Sequence, residues 1–126
     1  MDDAPMANLH PEFFIRLYFS ESGMMGPGKA SLLEGIERTG SISAAGRELG
    51  MSYKRAWMLV EAMNAMFREP LVSSTRGGPG GGGAALTEAG EQVLALFRQI
   101  EATAVAANAA PLAELKGLLT DMPERK

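Results

Sequence analysis

The sequence predicts a mainly α-helical domain with one small β-hairpin. Three observations predict this fold class: apolar residues recur at helical spacing, capping residues precede those segments, and the glycine run GGPGGGG separates two short β-prone runs. The chain has 126 residues, of which 46% are hydrophobic and 21% are charged, as is typical of a soluble domain. This length allows one domain with a modest core.

The first two predicted elements are a strand and a helix. Apolar and polar residues alternate over residues 13–19, which is typical of a half-buried strand with Phe13, Ile15, Leu17 and Phe19 on one side. The next segment, KASLLEGIER, places Ala30, Leu33 and Ile36 at helical spacing before Thr39-Gly40 stops it.

Two further helices are predicted to meet across a tight turn. Ser41 and Ser52 stand at the capping positions of ISAAGREL and YKRAWMLVEAMNAMF, and Gly50 ends the first of these helices. Gly46 should face Ala56, because two small residues let helices cross closely. The longer helix has an apolar stripe of Ala56, Leu59, Val60, Met63 and Phe67. A short capped helix, a glycine turn and a capped amphipathic helix are typical of the bihelical DNA-binding unit.

The glycine run is predicted to form the mobile tip of a hairpin. Pro70 should break the long helix, and LVSSTR and AALT indicate the two strands of a wing. Glycines also let such a tip approach a ligand backbone closely. A glycine-rich linker between two domains is the alternative. With the wing, the order of elements predicts a winged helix-turn-helix.

The C-terminal part is predicted to contain two apolar helices. Thr87 caps the first, and Pro111 should separate it from PLAELKGLL, with leucines at 112, 115, 118 and 119. Both helices expose more apolar surface than a small core needs, which favours a dimer interface, with an intramolecular hairpin as the alternative. The predicted dimerisation residues are Val93, Leu94, Phe97, Ile100 and Ala104.

These elements define the predicted organisation of the chain. Residues 1–12 form a flexible tail, 13–86 the winged helix-turn-helix, 87–120 the dimerisation helices and 121–126 a second flexible tail.

Cations gather where the longer helix begins. The net charge is −3, yet residues 41–80 carry five basic and three acidic side chains. Lys54 and Arg55 follow Ser52 with no acid before Glu61, so this helix end offers donors to DNA, with Arg55 reading guanine and Lys54 meeting phosphate. The alternative is a pair of ordinary solvated cations. For Trp57, one turn after Tyr53, we favour a structural role.

The sequence contains the run GPGKASLLEGIERTGSISAAGRELGMSYKRAWMLVEAMN, followed by PLV, R-G-G-x-G-G-G-G and LTEAGEQVL. Together, these segments resemble the N-terminal domain of the ModE family of molybdate-responsive transcriptional regulators. That domain is a winged helix-turn-helix similar to that of LysR-type regulators. The resemblance covers roughly residues 13–105. It implies a homodimer joined largely through its terminal helices, a recognition helix that begins at Ser52, and a glycine wing after Arg76 that touches DNA backbone or minor groove. The predicted DNA-binding residues are Ser41, Ser43, Ser52, Tyr53, Lys54, Arg55, Arg76, Gly77 and Gly78.

The sequence departs from that family after the wing. ModE carries a C-terminal region that binds molybdate, whereas only about 40 residues follow the wing here. We therefore expect a stand-alone DNA-binding version in which direct molybdate sensing is disfavoured. Sensing through a partner, sensing of another ligand and the absence of any sensing are the alternatives.

Several other functions are disfavoured. The chain has no cysteine, which excludes disulfides and cysteine-based metal or redox sites. The segment Gly23 to Ser31 approaches a phosphate-binding loop, but Ala30 stands where a hydroxyl would hold magnesium. His10 is the only histidine, so no nucleophile has a histidine base. We expect a cytoplasmic DNA-binding protein that is not an enzyme and has no metal, cofactor or membrane span, with a protein-interaction module as the alternative.

Overall fold

In the computed structural model, the described residues are 13–21, 23–78 and 81–120, without the side chains of 76–78 and 81–82. The described helices are α1 (Pro27–Thr39), α2 (Ile42–Glu48), α3 (Tyr53–Met66), α4 (Glu88–Ala107) and α5 (Ala109–Lys116). The described strands are β1 (Leu17–Tyr18), β2 (Met24–Met25), β3 (Val72–Gly78) and β4 (Gly81–Leu86). This order confirms the predicted mainly α fold with a winged helix-turn-helix. The two predicted tails and His10 lie outside the described residues.

The strand before α1 is shorter than predicted. Only Leu17 and Tyr18 pair with another strand, antiparallel to Met25 and Met24. Burial alternates as expected up to Leu17, but Phe19 is exposed and its backbone N–H donates to the Gly23 carbonyl at 2.8 Å. The prediction for Phe19 was wrong because the chain turns there and leaves the sheet.

Helix α1 lies at the centre of the domain. It begins at Pro27, two residues before the predicted start, because proline suits the first turn, where no intrahelical N–H bond is made. It ends at Gly40, whose φ of 72° is the left-handed conformation that glycine adopts without strain. The side chains that pack together in the core are Met25, Ala30, Leu32, Leu33, Ile36, Ile42, Ala45, Ala56, Val60, Met63, Leu71, Val72, Leu94 and Phe97.

Helices α2 and α3 have the predicted caps and the predicted turn between them. The Ser41 hydroxyl accepts a hydrogen bond from the Ala44 N–H, and the Ser52 hydroxyl accepts one from the Arg55 N–H. Gly50 adopts a φ of 75° in the turn. Helix α3 ends at Met66, one residue before the predicted end at Phe67, because Phe67 is already extended ahead of Pro70.

The hairpin extends further into the glycine run than predicted. Strands β3 and β4 pair antiparallel from Val72–Leu86 to Gly78–Gly81, with an irregularity between Thr75 and Gly78. The predicted loop between the strands was therefore too long. Extended glycines can form the backbone hydrogen bonds of a ladder as other residues do. Only residues 79–80 between the strands lie outside the description. The Ala84 N–H also donates to the Gly40 carbonyl, which joins the returning strand to the end of α1.

Helix α4 packs on the winged domain with its N-terminal half. The Thr87 hydroxyl caps it, as predicted, by accepting from the Gly90 N–H at 2.9 Å. Leu94 and Phe97 lie in the core, so this half of α4 is not separate from the domain predicted to end at residue 86. The helix breaks at Asn108 and not at Pro111, because Pro111 lies in the first turn of α5, where proline is tolerated. Among the described residues, no helix combines the length and apolar character needed to cross a membrane.

Candidate nucleic-acid interface

The N-terminal end of α3 forms an exposed tip with two cations. Ser52, Tyr53, Lys54 and Arg55 are all exposed, and the first turn carries no acidic residue. Among the described residues, neither the Lys54 nor the Arg55 side chain has a salt-bridge partner. Both charges are therefore available to an anionic ligand, and the unpaired N–H groups of the helix end add a favourable dipole.

The opposite face of α3 fixes this tip to the core. Ala56, Val60 and Met63 are at most 1% exposed. A Cβ built on Gly46 of α2 would lie 2.9 Å from the Cβ of Ala56, so the two helices cross with no room between them. The predicted packing of Gly46 on Ala56 is confirmed. The rest of the predicted stripe, Leu59 and Phe67, is half-buried. Rigid packing of this kind fixes the orientation of the helix end that carries Lys54 and Arg55.

An aromatic pair lies along one flank of the tip. The rings of Tyr53 and Trp57 meet edge to face, with centroids 6.2 Å apart and an interplanar angle of 75°. Trp57 is half-buried against the core, whereas Tyr53 is 60% exposed. This arrangement agrees with a structural role for Trp57, which supports the ring and hence the exposed hydroxyl of Tyr53.

The serines predicted at the start of α2 are engaged within the protein. The Ser41 hydroxyl caps α2 and lies 3.2 Å from the Ser43 hydroxyl, and both residues are half-buried. Thr39 joins them, because its hydroxyl accepts from the Ser41 N–H. The structure thus keeps Ser41 and Ser43 together at the turn before α2, and their hydroxyls are partly occupied by local hydrogen bonds.

The wing is joined to α3 by a single amide side chain. The Asn64 Oδ1 accepts from the N–H groups of Leu71 and Val72 at 2.8 and 3.1 Å, and its Nδ2 donates to the Val72 carbonyl. Sequence reasoning missed Asn64, although an uncharged amide among the apolar residues of α3 was a visible signal. The predicted wing residues Arg76, Gly77 and Gly78 continue β3 from this root, and the Arg76 side chain lies outside the described residues.

A partly buried ionic network holds α4 against α1, and it too was missed. Arg98 forms two bonds to the Glu34 carboxylate and one to Glu101, at 2.7–2.9 Å, and it reaches the Ser31 hydroxyl at 3.3 Å. Burial lowers the pKa of Arg98, but the hydrogen bonds that its guanidinium donates to both carboxylates outweigh this effect and raise the pKa overall. The signal in the sequence was weak, because Arg98 and Glu34 are far apart along the chain.

The predicted dimerisation residues divide into two groups. Leu94 and Phe97 lie in the core of the chain itself, because their side of α4 faces α1, so they are not available to a second copy. Ile100 is 42% exposed, while Val93 and Ala104 are half-buried. Some large apolar side chains outside the predicted dimerisation set are more exposed than its members, including Leu96 at 51%.

Together, these features define a winged helix-turn-helix protein in which the N-terminal end of α3 is cationic and faces solvent. Residues 30–91 match the model of the bacterial regulatory helix-turn-helix proteins of the lysR family. This segment runs from α1 through the wing to the first turn of α4, and it is a helix-turn-helix of the lysR type.

Named relatives point to the same group of proteins. The chain is 54% identical over 78 residues to the molybdenum-pterin-binding protein MopB of Rhodobacter capsulatus, covering 62% of this chain and 29% of the relative. It is 46% identical over 70 residues to the molybdenum transport protein ModE of Azotobacter vinelandii, covering 56% and 26%. It is 36% identical over 89 residues to the DNA-binding transcriptional dual regulator ModE of Escherichia coli K12, covering 71% and 34%. These matches bear out the resemblance to ModE, and the chain spans about a third or less of each relative.

Proposed function

We propose that this chain binds double-stranded DNA in a sequence-specific way and regulates transcription as a ModE-like homodimer. The observation that carries the proposal is the tip of α3, where Lys54 and Arg55 are exposed and have no ion-pair partner within the described part of the chain, while the opposite face is packed into the core. The proposal involves binding and no catalytic step. The cytoplasm is the proposed location, because a bacterial regulator meets DNA there.

Each element of the interface has a distinct part in the proposed complex. Arg55 donates a bidentate pair of hydrogen bonds to guanine in the major groove, Lys54 meets a phosphate, and the Tyr53 hydroxyl contacts the backbone. The wing lies over the neighbouring backbone or minor groove, where the glycines after Arg76 allow close approach. Ser41 and Ser43 contribute to phosphate binding at the turn before α2.

Salt dependence tests the proposed DNA contacts. The duplex affinity of the unmodified protein should fall steeply as salt rises, because each phosphate contact releases counterions. Lys54→Ala combined with Arg55→Ala should weaken binding by at least about tenfold and reduce the salt slope by about one for each phosphate contact that is lost. A matched control removes two exposed cations elsewhere, Arg68→Ala and Lys116→Ala, and should change affinity much less. Equal effects in the two double variants would show that net charge alone attracts DNA.

The exposed apolar face of α4 is the proposed dimer contact. Leu96 and Ile100 are about half exposed, and α5 adds Leu115 at 59%. Pairing this face with a second copy would remove apolar surface from water and place two recognition helices on half-sites about 34 Å, or a multiple of that distance, apart.

Sedimentation tests this part of the proposal. The protein should be a dimer at micromolar concentration, and Leu96→Glu combined with Ile100→Glu should make it a monomer. Glu91→Lys, an exposed change of charge on the same helix, is the control and should leave the dimer intact. A monomeric unmodified protein would contradict the proposed dimer and leave the DNA contacts to be judged separately.

The regulated genes are proposed to be connected with molybdenum, on the strength of the names of the ModE and MopB relatives. Selection of bound duplexes from a random library, with and without molybdate, tests this. A palindromic motif is expected, unchanged by molybdate. The alternative of a protein-interaction module draws no support from the relatives, and failure to enrich any duplex would revive it.

A further inference from the structure

The outward face of α3 carries the exposed side chain of Met58. Met58 is 57% exposed and is not among the residues that pack against the core. It lies four residues after Lys54, so the two side chains occupy one line along the helix, one turn apart. The buried residues Ala56, Val60 and Met63 face the other way. Met58 therefore points to the same side as Lys54.

The surroundings of Met58 differ from those of an ordinary surface methionine. On one side along the helix are the cations Lys54 and Arg55, and on the other is Glu61, the first acidic residue of α3. The outward face thus changes from cationic to acidic with Met58 in between. A duplex that binds Lys54 and Arg55 should contact α3 as far as about Met58, because the carboxylate of Glu61 repels phosphate.

In the major groove, an apolar side chain has one distinctive apolar partner. Thymine alone presents a C5-methyl group, and apolar side chains distinguish thymine by contact with it. A methionine side chain is long, unbranched and adaptable, so it can reach the floor of the groove without a fixed rotamer. It can neither donate strongly to phosphate nor read a base through bidentate hydrogen bonds.

We propose that Met58 is a specificity-determining residue that contacts the C5-methyl group of one thymine in each half-site. This inference rests on the proposed DNA binding. Arg55 and Met58 are three residues apart, which is about 4.5 Å of helix rise, whereas base pairs are about 3.4 Å apart. The thymine therefore lies about one to two base pairs from the guanine that Arg55 reads.

The test replaces thymine by deoxyuridine, which lacks only the methyl group. A site is first selected with the unmodified protein, and each thymine is then replaced in turn in both half-sites. At one position, the unmodified protein should lose about fourfold in affinity per half-site, which corresponds to the burial of one methyl group. Met58→Ala should bind the thymine site more weakly and show no discrimination at that position. Met58→Leu, which keeps an apolar side chain of similar size, should retain it.

Two further measurements make the outcome decisive. Tyr18→Ala, which removes an exposed apolar side chain from β1, is the control and should discriminate like the unmodified protein. Thermal unfolding of Met58→Ala should be unchanged, because the side chain is exposed. The inference is overturned if no deoxyuridine position matters, if the half-site contains no thymine, or if Met58→Ala still discriminates. Failure of the unmodified protein to bind any duplex would instead overturn the proposed function, and this is measured first.

Discussion

Gly46 of α2 lies so close to Ala56 of α3 that a Cβ on Gly46 would come 2.9 Å from the Cβ of Ala56. A methyl carbon cannot move aside as the end of a flexible side chain can. The crossing of α2 and α3, and hence the direction of the tip of α3, depends on the absence of that one carbon.

Gly46→Ala should therefore destabilise the protein. Alanine improves helix propensity by about 1 kcal/mol, but overpacking costs about 1–3 kcal/mol, so we expect a net loss of up to about 2 kcal/mol in the free energy of unfolding. Urea titration measures it. Gly28→Ala is the matched control, because nothing lies within 4 Å of its Cβ position, and it should be neutral or slightly stabilising. Adding Ala56→Gly to Gly46→Ala should cost less than the two single losses combined.

Asn64→Ala should loosen the root of the wing. The substitution leaves the N–H groups of Leu71 and Val72 without their acceptor, and unsatisfied buried donors cost about 1–3 kcal/mol each. For the two donors together we expect a stability loss of at least about 2 kcal/mol, and faster hydrogen exchange at these two amides. Asn108→Ala, which removes one exposed hydrogen bond, is the control and should have little effect. Unchanged exchange at Leu71 and Val72 would show that the hairpin holds its root without Asn64.

Arg98→Met should be strongly destabilising because it leaves Glu101 unpaired. The Glu101 side chain is only 6% exposed, and a buried pair that loses one partner costs about 3–5 kcal/mol. Chemical denaturation measures this loss. The double variant Arg98→Met with Glu101→Met removes the orphaned charge and should recover part of the stability. If the double variant is less stable than Arg98→Met alone, the cost comes from lost packing and not from the buried carboxylate.

The ion pair between Arg38 and Glu48 predicts a dependence on pH. The hydrogen bond from the Arg38 guanidinium holds the pKa of Glu48 below its ordinary value of 4.5. A carboxyl whose pKa is lowered by folding contributes stability above the unfolded value, and this contribution disappears as pH falls through the folded value. The difference in Tm between the unmodified protein and Glu48→Gln should thus be present at neutral pH and vanish in acid.

Both carboxylate and guanidinium are exposed, so the effect on Tm should be small and should decrease in high salt. Glu37→Gln, which removes an exposed carboxylate from α1, is the control for the loss of one negative charge. A Tm difference for Glu48→Gln that persists unchanged at low pH would contradict the role given to the ion pair.

Features that depend on neighbouring residues were predictable from the sequence. Ser41, Ser52 and Thr87 all cap helices as expected, because each bond spans only three residues. Gly40 and Gly50 also stand where the backbone adopts positive φ. The same locality explains why the exposed cations at the start of α3 were found, since a capped helix begins there.

Features that depend on distant residues were not predictable in the same way. Asn64 and Arg98 were missed because their partners are set by the fold. Leu94 and Phe97 were expected at a dimer contact, because periodicity shows that a face is apolar but not which surface covers it. Met58 was overlooked although it lies off the predicted apolar stripe of α3, so the helical spacing already indicated that it faces outward.

The hydrogen bond from the Ala84 N–H to the Gly40 carbonyl should lower the entropy cost of binding a duplex. With Asn64 holding the outgoing strand and Gly40 the returning one, the hairpin base is anchored at both sides before any ligand arrives. Little backbone freedom is then left to be lost on association, so more of the contact energy is retained as affinity. In the proposed dimer, adjustment to operators of unequal geometry would therefore take place between subunits rather than inside one.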